Sequence, residues 1–297
     1  MVNGAQSGDL TRRILLGGMA LALLPRNAVA VGSSSGPRLA AIDWAMAETA
    51  AMLGHPPAAI AELRGLRRLL DTHVPENTVD LGLRGSPNLE ALSLVAPDLI
   101  LSSNYYATFA PKLERIAPVF SQSIFVPGEP VLPKAMGLIA SMAERMDLPE
   151  LGQNTQRAAA DAIASLSRRV QSWSSRPFLL IEIGDPRHVR VYGTDSLFGG
   201  MIEETGLRNA WGAGTRFSFA APVPMENIVQ FPDAWLVITG DIPIQTENGL
   251  SRSALWNALP PVRAGRVLRF GDMNGFGGMP SALQFARELT RSLEERA

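Results

Sequence analysis

Pro87-Asn88-Leu89-Glu90-Ala91-Leu92 leads into Pro97-Asp98-Leu99-Ile100-Leu101. The pattern returns far down the chain as Pro224-Met225-Glu226-Asn227-Ile228, followed by Pro232-Asp233-Ala234-Trp235-Leu236-Val237-Ile238. Each copy reads as a short helix with an acidic residue in its first turn, where the positive end of the helix dipole favours it. A Pro-Asp turn follows, then an apolar run without alternation, as expected of a strand buried on both faces of a sheet. One such unit in each half predicts an α/β fold of two related lobes.

Between the copies, Asp147 is placed to cap a helix that opens with Leu148-Pro149-Glu150, proline being tolerated in the first turn. No proline interrupts it before Trp173, and Leu151, Ala158, Ala162, Leu166 and Val170 fall near a helical period. About 25 residues at 1.5 Å each make a helix approaching ~38 Å, long enough to join two lobes. Ser174-Ser175-Arg176-Pro177 ends it, and Phe178 to Ile183 begins the second lobe as a buried strand. The expected organisation is a signal peptide over 1–30, an N-terminal lobe over 31–146, a connecting helix over 147–173 and a C-terminal lobe over 174–297.

The N-terminus carries Arg12-Arg13, an apolar run from Ile14 to Leu24 and an Ala28-Val29-Ala30 cleavage site. This describes a signal peptide whose apolar stretch is too short for a permanent span, so no stable membrane insertion is expected. The paired arginines, with Leu15 and Leu16 behind them, point to the twin-arginine route. There is no cysteine in the 297 residues, hence no lipid-bearing thiol, disulfide or thiolate metal site.

The chain is 46% hydrophobic and 19% charged, the balance of a globular protein. With 27 basic and 28 acidic residues and no basic block, nucleic acid is excluded as a partner. His55, His73 and His188 are far apart, and His188 reads as part of an Asp185-Pro186-Arg187-His188 turn. Gly275-Phe276-Gly277-Gly278 lacks the lysine of a phosphate loop, and no G-x-S-x-G elbow occurs. Glu203-Glu204 and Glu294-Glu295 read as solvated helix faces. No catalytic residue is expected; a secreted hydrolase with an unusual site is the remote alternative.

Three further blocks complete the reading. Asp80-Leu81-Gly82-Leu83-Arg84 precedes the first echo, which continues to Tyr106 and Arg115-Ile116-Ala117-Pro118. Asp185-Pro186-Arg187-His188-Val189 is followed by Ser196-Leu197-Phe198 and Asn209-Ala210-Trp211. The last is Pro261-Val262-Arg263-Ala264-Gly265-Arg266. In this order and spacing the chain resembles the periplasmic ferric-hydroxamate-siderophore-binding proteins of bacterial ABC importers. The resemblance implies two α/β lobes joined by a single long helix, lobes that move little on binding, and a periplasmic monomer. Its partners would be a ferric hydroxamate siderophore and an inner-membrane ABC permease. No cofactor or metal ligand is implied, because the siderophore encloses its iron.

A guanidinium offers planar, always-charged donors and a phenol adds a hydroxyl donor on an apolar ring. The resemblance assigns these roles at the hydroxamates to Arg84 and Tyr106, with Trp211, Phe217 and Phe276 as apolar contacts. The residues alone fit a second reading, Arg84 paired to a local carboxylate and Tyr106 packed at the lobe edge. Glu90 and Glu226 would meet permease arginines, or only stabilise helix N-termini by about 0.3–1 kcal/mol each. Arg68, Ser102, Ser218 and Asn274 stand where relatives carry pocket tryptophans, and Arg190 and Arg216 fall near the presumed cleft. A more polar, more cationic cleft is therefore expected, suited to a carboxylate-bearing hydroxamate such as a citrate-based one. Another iron chelate, haem or a corrinoid on the same scaffold is the alternative ligand.

Overall fold

Strand alternation organises the molecule. The computed structural model describes residues 36–71, 73–212 and 221–297, with Ala221 described by its backbone alone. The segment expected as a signal peptide, together with Arg216, Phe217 and Ser218, lies outside the described residues. The first sheet contains β1 (Leu39–Ala41), β2 (Ala59–Ile60), β3 (Val79–Asp80), β4 (Leu99–Ser102) and β5 (Val119–Ser121). They lie in the order β3-β2-β1-β4-β5, all parallel. The second contains β6 (Phe178–Glu182), β7 (His188–Val191), β8 (Ala221–Pro224), β9 (Trp235–Ile238) and β10 (Val267–Arg269), ordered β10-β9-β6-β7-β8. Here β7 runs antiparallel to both β6 and β8, so this sheet is mixed.

Successive residues of a strand face opposite ways, and the burial follows that rule. Leu39, Ala41, Leu99 and Leu101 of the first sheet, and Phe178, Leu180 and Val237 of the second, enter one common hydrophobic core. Their neighbours Ala40, Ile42 and Ile100 fill a separate outer core, and Leu179, Ile181, Leu236 and Ile238 another. Both sheets thus turn one face to a shared helical layer.

That layer includes the helix Pro149–Val170, 22 residues and about 33 Å at 1.5 Å per residue. Asp147 does not cap it. Leu148 occupies the N-cap, while Asp147, at φ 58°, closes the preceding helix Val131–Arg145. The Asp147 N–H donates to Glu144 O at 3.0 Å and the Leu148 N–H to Ala143 O at 2.8 Å, a left-handed helix stop. The buried stripe is Gly152, Ala159, Ile163, Leu166 and Val170, which leaves Ala158 exposed. Gly152 is required where the two helices cross, since a Cβ there would stand 2.7 Å from the Ala143 Cβ.

The C-terminal helix Met279–Glu294 returns across this layer to pack on the helices Trp44–Met52, Val131–Arg145, Pro149–Val170 and Leu197–Glu204. Its N-terminus is seated on Glu48, which is fully buried. The Glu48 carboxylate accepts from Asn274 Nδ2 (2.6 Å), Gly278 N (3.0 Å), Ser281 N (3.2 Å) and Ser281 Oγ (2.7 and 2.8 Å). A Cβ on Gly277 would lie 2.6 Å from Glu48 Oε1, so only glycine lets the loop close over the carboxylate.

Removing the carboxylate strands these donors. Glu48→Leu is expected to destabilise the fold, each buried donor left without an acceptor costing about 1–3 kcal/mol, measured by urea unfolding. Burial pushes the Glu48 carboxyl from its ordinary 4.5 up to about 7, against the opposing hydrogen bonds from Ser281, Gly278 and Asn274. The native state therefore holds this proton more tightly than the unfolded chain. The resulting stabilisation is complete below the unfolded pKa and is lost as pH rises through about 7, on the order of 3 kcal/mol in all. The stability of the wild type relative to Glu48→Gln should fall between roughly pH 5 and 7. A flat difference would mean that Glu48 does not titrate there.

Candidate ligand-binding site

In open parallel sheets the chain leaves every strand at the same edge, and ligands settle in the crevice beyond those carboxyl ends. Both sheets of this protein meet across such a crevice. On the first side, β1 is followed by Asp43 and Trp44, β2 by Glu62, β3 by Arg84 and Gly85, β4 by Tyr105 and Tyr106, and β5 by Phe125. On the second, β6 ends at Glu182, β9 leads to Thr239 and Gly240, and β10 leads to Asp272 and onward to Phe276. Arg190 and Tyr192, from and just after β7, complete the wall. The cleft encloses about 660 Å³, within the roughly 300–1,000 Å³ of small-molecule sites.

Arg84 is held on three sides. Its Nε donates to Glu62 Oε2 at 2.7 Å and its backbone N to Glu62 Oε1 at 3.2 Å. Its guanidinium lies over the Trp44 ring, 3.9 Å from the centroid, a cation–π arrangement. Trp44 is fixed in turn by a 2.9 Å bond from Nε1 to Ala61 O, and a Cβ on Gly65 would come within 2.9 Å of the ring. Tyr106 stands beside this group. Burial raises its phenol pKa, and the Arg84 guanidinium partly offsets the rise. Asp43 lies deeper, its carboxylate accepting from Ser103 Oγ at 2.7 Å and Met46 N at 3.2 Å, and burial pushes its pKa up.

Across the cleft, Glu182 and Arg190 are cross-strand partners, with Arg190 Nη1 3.8 Å from Glu182 Oε1. The Tyr192 hydroxyl donates to Glu182 Oε2 at 3.2 Å, and burial drives its pKa upward. Gly240, at φ 85°, separates Glu182 from Asp272: a Cβ there would be 3.6 Å from Glu182 Cγ and 3.7 Å from Asp272 Oδ1. Phe276 is half-exposed at the opening, its ring 5.4 Å from that of Phe125.

The structure thus brings Arg84, Tyr106 and Phe276 together in one cleft. Trp211 stands elsewhere. It packs on Phe231 at 5.9 Å in the outer core of the second sheet, just past the bridge from Asn209 to Phe178. That bridge joins the first residue of β6, at the edge away from the cleft. Phe217 lies outside the described residues. Glu90 and Glu226 are both exposed, in the first turns of the helix Leu89–Val95 and the 3-10 helix Met225–Gln230. His188 closes its turn as expected, with Asp185 Oδ1 accepting from Arg187 N and His188 N.

The expectation of a cationic cleft is overturned among the described residues. Four carboxylates (Asp43, Glu62, Glu182, Asp272) face two guanidiniums (Arg84, Arg190), and each guanidinium is directed at a glutamate. Arg68 lies outside the lining and reaches Asp272 only at 3.9 Å with its side chain 72% exposed; Ser102 is buried in β4. Asn274 does line the cleft, but its amide is spent on Glu48. The sequence reading missed Trp44, Glu62, Glu182 and Asp272. The available signal was position, since each lies within three residues of a strand's end.

A two-sheet α/β frame with a small-molecule crevice at the strand ends fits a solute-binding protein. The chain belongs to the periplasmic binding protein family, whose model matches residues 39–272. The iron(3+)-hydroxamate-binding protein FhuD of Escherichia coli (strain K12) is 30% identical over 291 residues, 97% of this chain and 98% of its own. FhuD of Vibrio cholerae, a siderophore-binding protein solved with Fe3+–Desferal, matches with a TM-score of 0.79 at 23% identity, over 86% of this chain and 97% of its own. The petrobactin-binding protein YclQ of Bacillus subtilis gives 0.68 at 16%, over 87% and 92%. At these identities the two solved structures establish the fold. No helix among the described residues is long and apolar enough to cross a membrane.

Proposed function

We propose that the chain is the periplasmic receptor of an ABC importer, capturing a ferric hydroxamate complex and passing it to an inner-membrane permease. The observation that carries this reading is Arg84, fixed by Glu62 and Trp44 beside Tyr106 in a cleft of suitable size. Hydroxamate oxygens bound to iron keep partial negative charge, and Arg84 and Tyr106 direct donors at them, with Phe276 against the ligand's apolar arms. The iron arrives within its chelate, so this role uses no protein ligands to the metal. The lobes are proposed to comprise residues 31–146 and 174–297, joined through 147–173, and the receptor to act as a monomer. The FhuD relative, named for iron(3+)-hydroxamate binding, supports the ligand class.

Glu90 and Glu226 are proposed to dock the permease. The helix bearing Glu90 starts beyond the end of β3, and the one bearing Glu226 directly follows β8, which topology makes parallel to β6. Both glutamates therefore stand at the cleft edges of their sheets, with exposed Leu94 and Val229 on the same short helices.

Arg84→Ala should weaken ferric hydroxamate binding more than Tyr106→Phe, since a charge-assisted bond is worth about 1.5–3 kcal/mol and a neutral one about 0.5–1.5. Tryptophan-fluorescence titration measures both; a folded Arg84→Ala protein of unchanged affinity would place the ligand elsewhere, and binding of a corrinoid in preference to any hydroxamate would replace the ligand class.

Substituting Glu90→Ala together with Glu226→Ala should leave ligand affinity intact while cutting uptake through the cognate permease. Equal loss of affinity and uptake would assign the glutamates to the fold or the pocket.

Export is proposed to use the twin-arginine route. Arg12→Lys with Arg13→Lys should then block periplasmic accumulation, and normal accumulation of that double variant would refute the route.

A further inference from the structure

The charge balance of the cleft bears on which hydroxamate complex it holds. Each hydroxamate binds iron(III) as a monoanion, so a trihydroxamate complex has a neutral core. Its net charge is set by what hangs from that core, an ammonium making it cationic and a carboxylate anionic. On the first wall Arg84 contacts Glu62 at 2.7 Å, and the other carboxylate there, Asp43, is buried and accepts from Ser103 Oγ at 2.7 Å. The second wall is more loosely paired. Among the described residues the cation near Glu182 is Arg190 at 3.8 Å, and that arginine's side chain is 60% exposed. Asp272 Oδ2 has Arg68 at 3.9 Å from the rim, while its Oδ1 accepts the Asp241 N–H at 2.8 Å. Glycine at position 240 leaves the space between these two carboxylates free of a side chain.

We infer that the cleft selects ferric hydroxamate complexes bearing a positive charge, with an ammonium group of the ligand received between Glu182 and Asp272. This rests on the reading of the cleft as a ferric hydroxamate site. The geometry suits it: the hydroxamate oxygens turn to Arg84 and Tyr106 on the first wall, and the substituent turns to the carboxylates opposite. A carboxylate-bearing complex would face these same two groups as like charges. Glu182 and Asp272 are thereby specificity-determining residues, separate from those that hold the iron-bearing core.

The test compares ferrioxamine B, whose terminal amine is protonated at neutral pH, with its N-acetyl derivative, which has the same iron shell and no charge. Both are titrated into the wild type and into the double variant Glu182→Gln, Asp272→Asn. These replacements keep acceptors for Tyr192 and for the Asp241 N–H. Two partly solvated carboxylates, each a weak partner, predict about five- to tenfold tighter binding of the cationic complex. The double variant should bind both complexes alike. The preference should also shrink in the wild type between about 20 and 500 mM salt, as the screening length contracts.

Equal wild-type affinities, a preference indifferent to salt, or one that survives in the double variant would overturn the inference. If the double variant fails to fold, the salt dependence of the wild type decides. Failure of the wild type to bind either complex would instead overturn the hydroxamate reading beneath it.

Discussion

The cleft depends on one buried carboxylate. Glu48 belongs to the helix that follows β1, and all its partners lie between Asn274 and Ser281, beyond β10. The stretch it anchors is continuous with Asp272, Met273, Asn274, Gly275 and Phe276, the last segment of the cleft wall. A charge taken out of water is costly unless every acceptor site finds a donor, and here an amide, a hydroxyl and two backbone N–H groups converge on it. Two of those donors belong to the start of the C-terminal helix, whose dipole also favours a negative charge. The same contact therefore fixes one wall of the cleft against the other.

Around that lock, strand alternation does the rest. The inner faces of both sheets enter one core together with the helices Val131–Arg145, Pro149–Val170 and Met279–Glu294. A core packed at crystalline density has low compressibility. Side chains mounted just past strand ends start from a backbone held by the sheet, which lowers the ordering cost of binding.

What could be read in the sequence was whatever a local pattern encodes. The two Pro-Asp turns and their apolar runs became β4 and β9, and Glu90 and Glu226 fell in first turns as expected. Arg84 and Tyr106 were found through blocks of the sequence around them. The failures share a cause, namely dependence on partners distant in the chain. Asp147 looks like a helix cap, but the backbone of the previous helix claims it. Glu48 is one glutamate among many until residues 226 to 233 positions away close over it. The cationic cleft was expected by counting arginines near the site; Glu62 and Glu182, which oppose them, enter only when neighbouring strand ends align. The antiparallel pairing of β7 had no counterpart in the echo, because only one lobe contains it.

Both readings of Arg84 offered by the sequence turn out to be compatible. Pairing with Glu62 through Nε and stacking on Trp44 consume one edge and one face of the guanidinium. They also remove its rotational freedom, which an unpaired arginine would lose only on binding, at about 0.5–1.5 kcal/mol for a side chain of that length. Glu62 sits at φ 52°, a backbone region disfavoured for any residue but glycine, at the N-cap position of the helix Leu63–Leu69, where its side chain makes no cap bond and turns to Arg84 instead. Strain of that kind, on the order of 1–3 kcal/mol, persists only where the surroundings hold it, and here a Glu62 N–H bond to Gly82 O at 2.6 Å ties it to the loop carrying Arg84. The local carboxylate thus supports Arg84 in the role proposed for it. With its charge largely cancelled by Glu62, Arg84 would meet a ligand through the direction of its remaining donors.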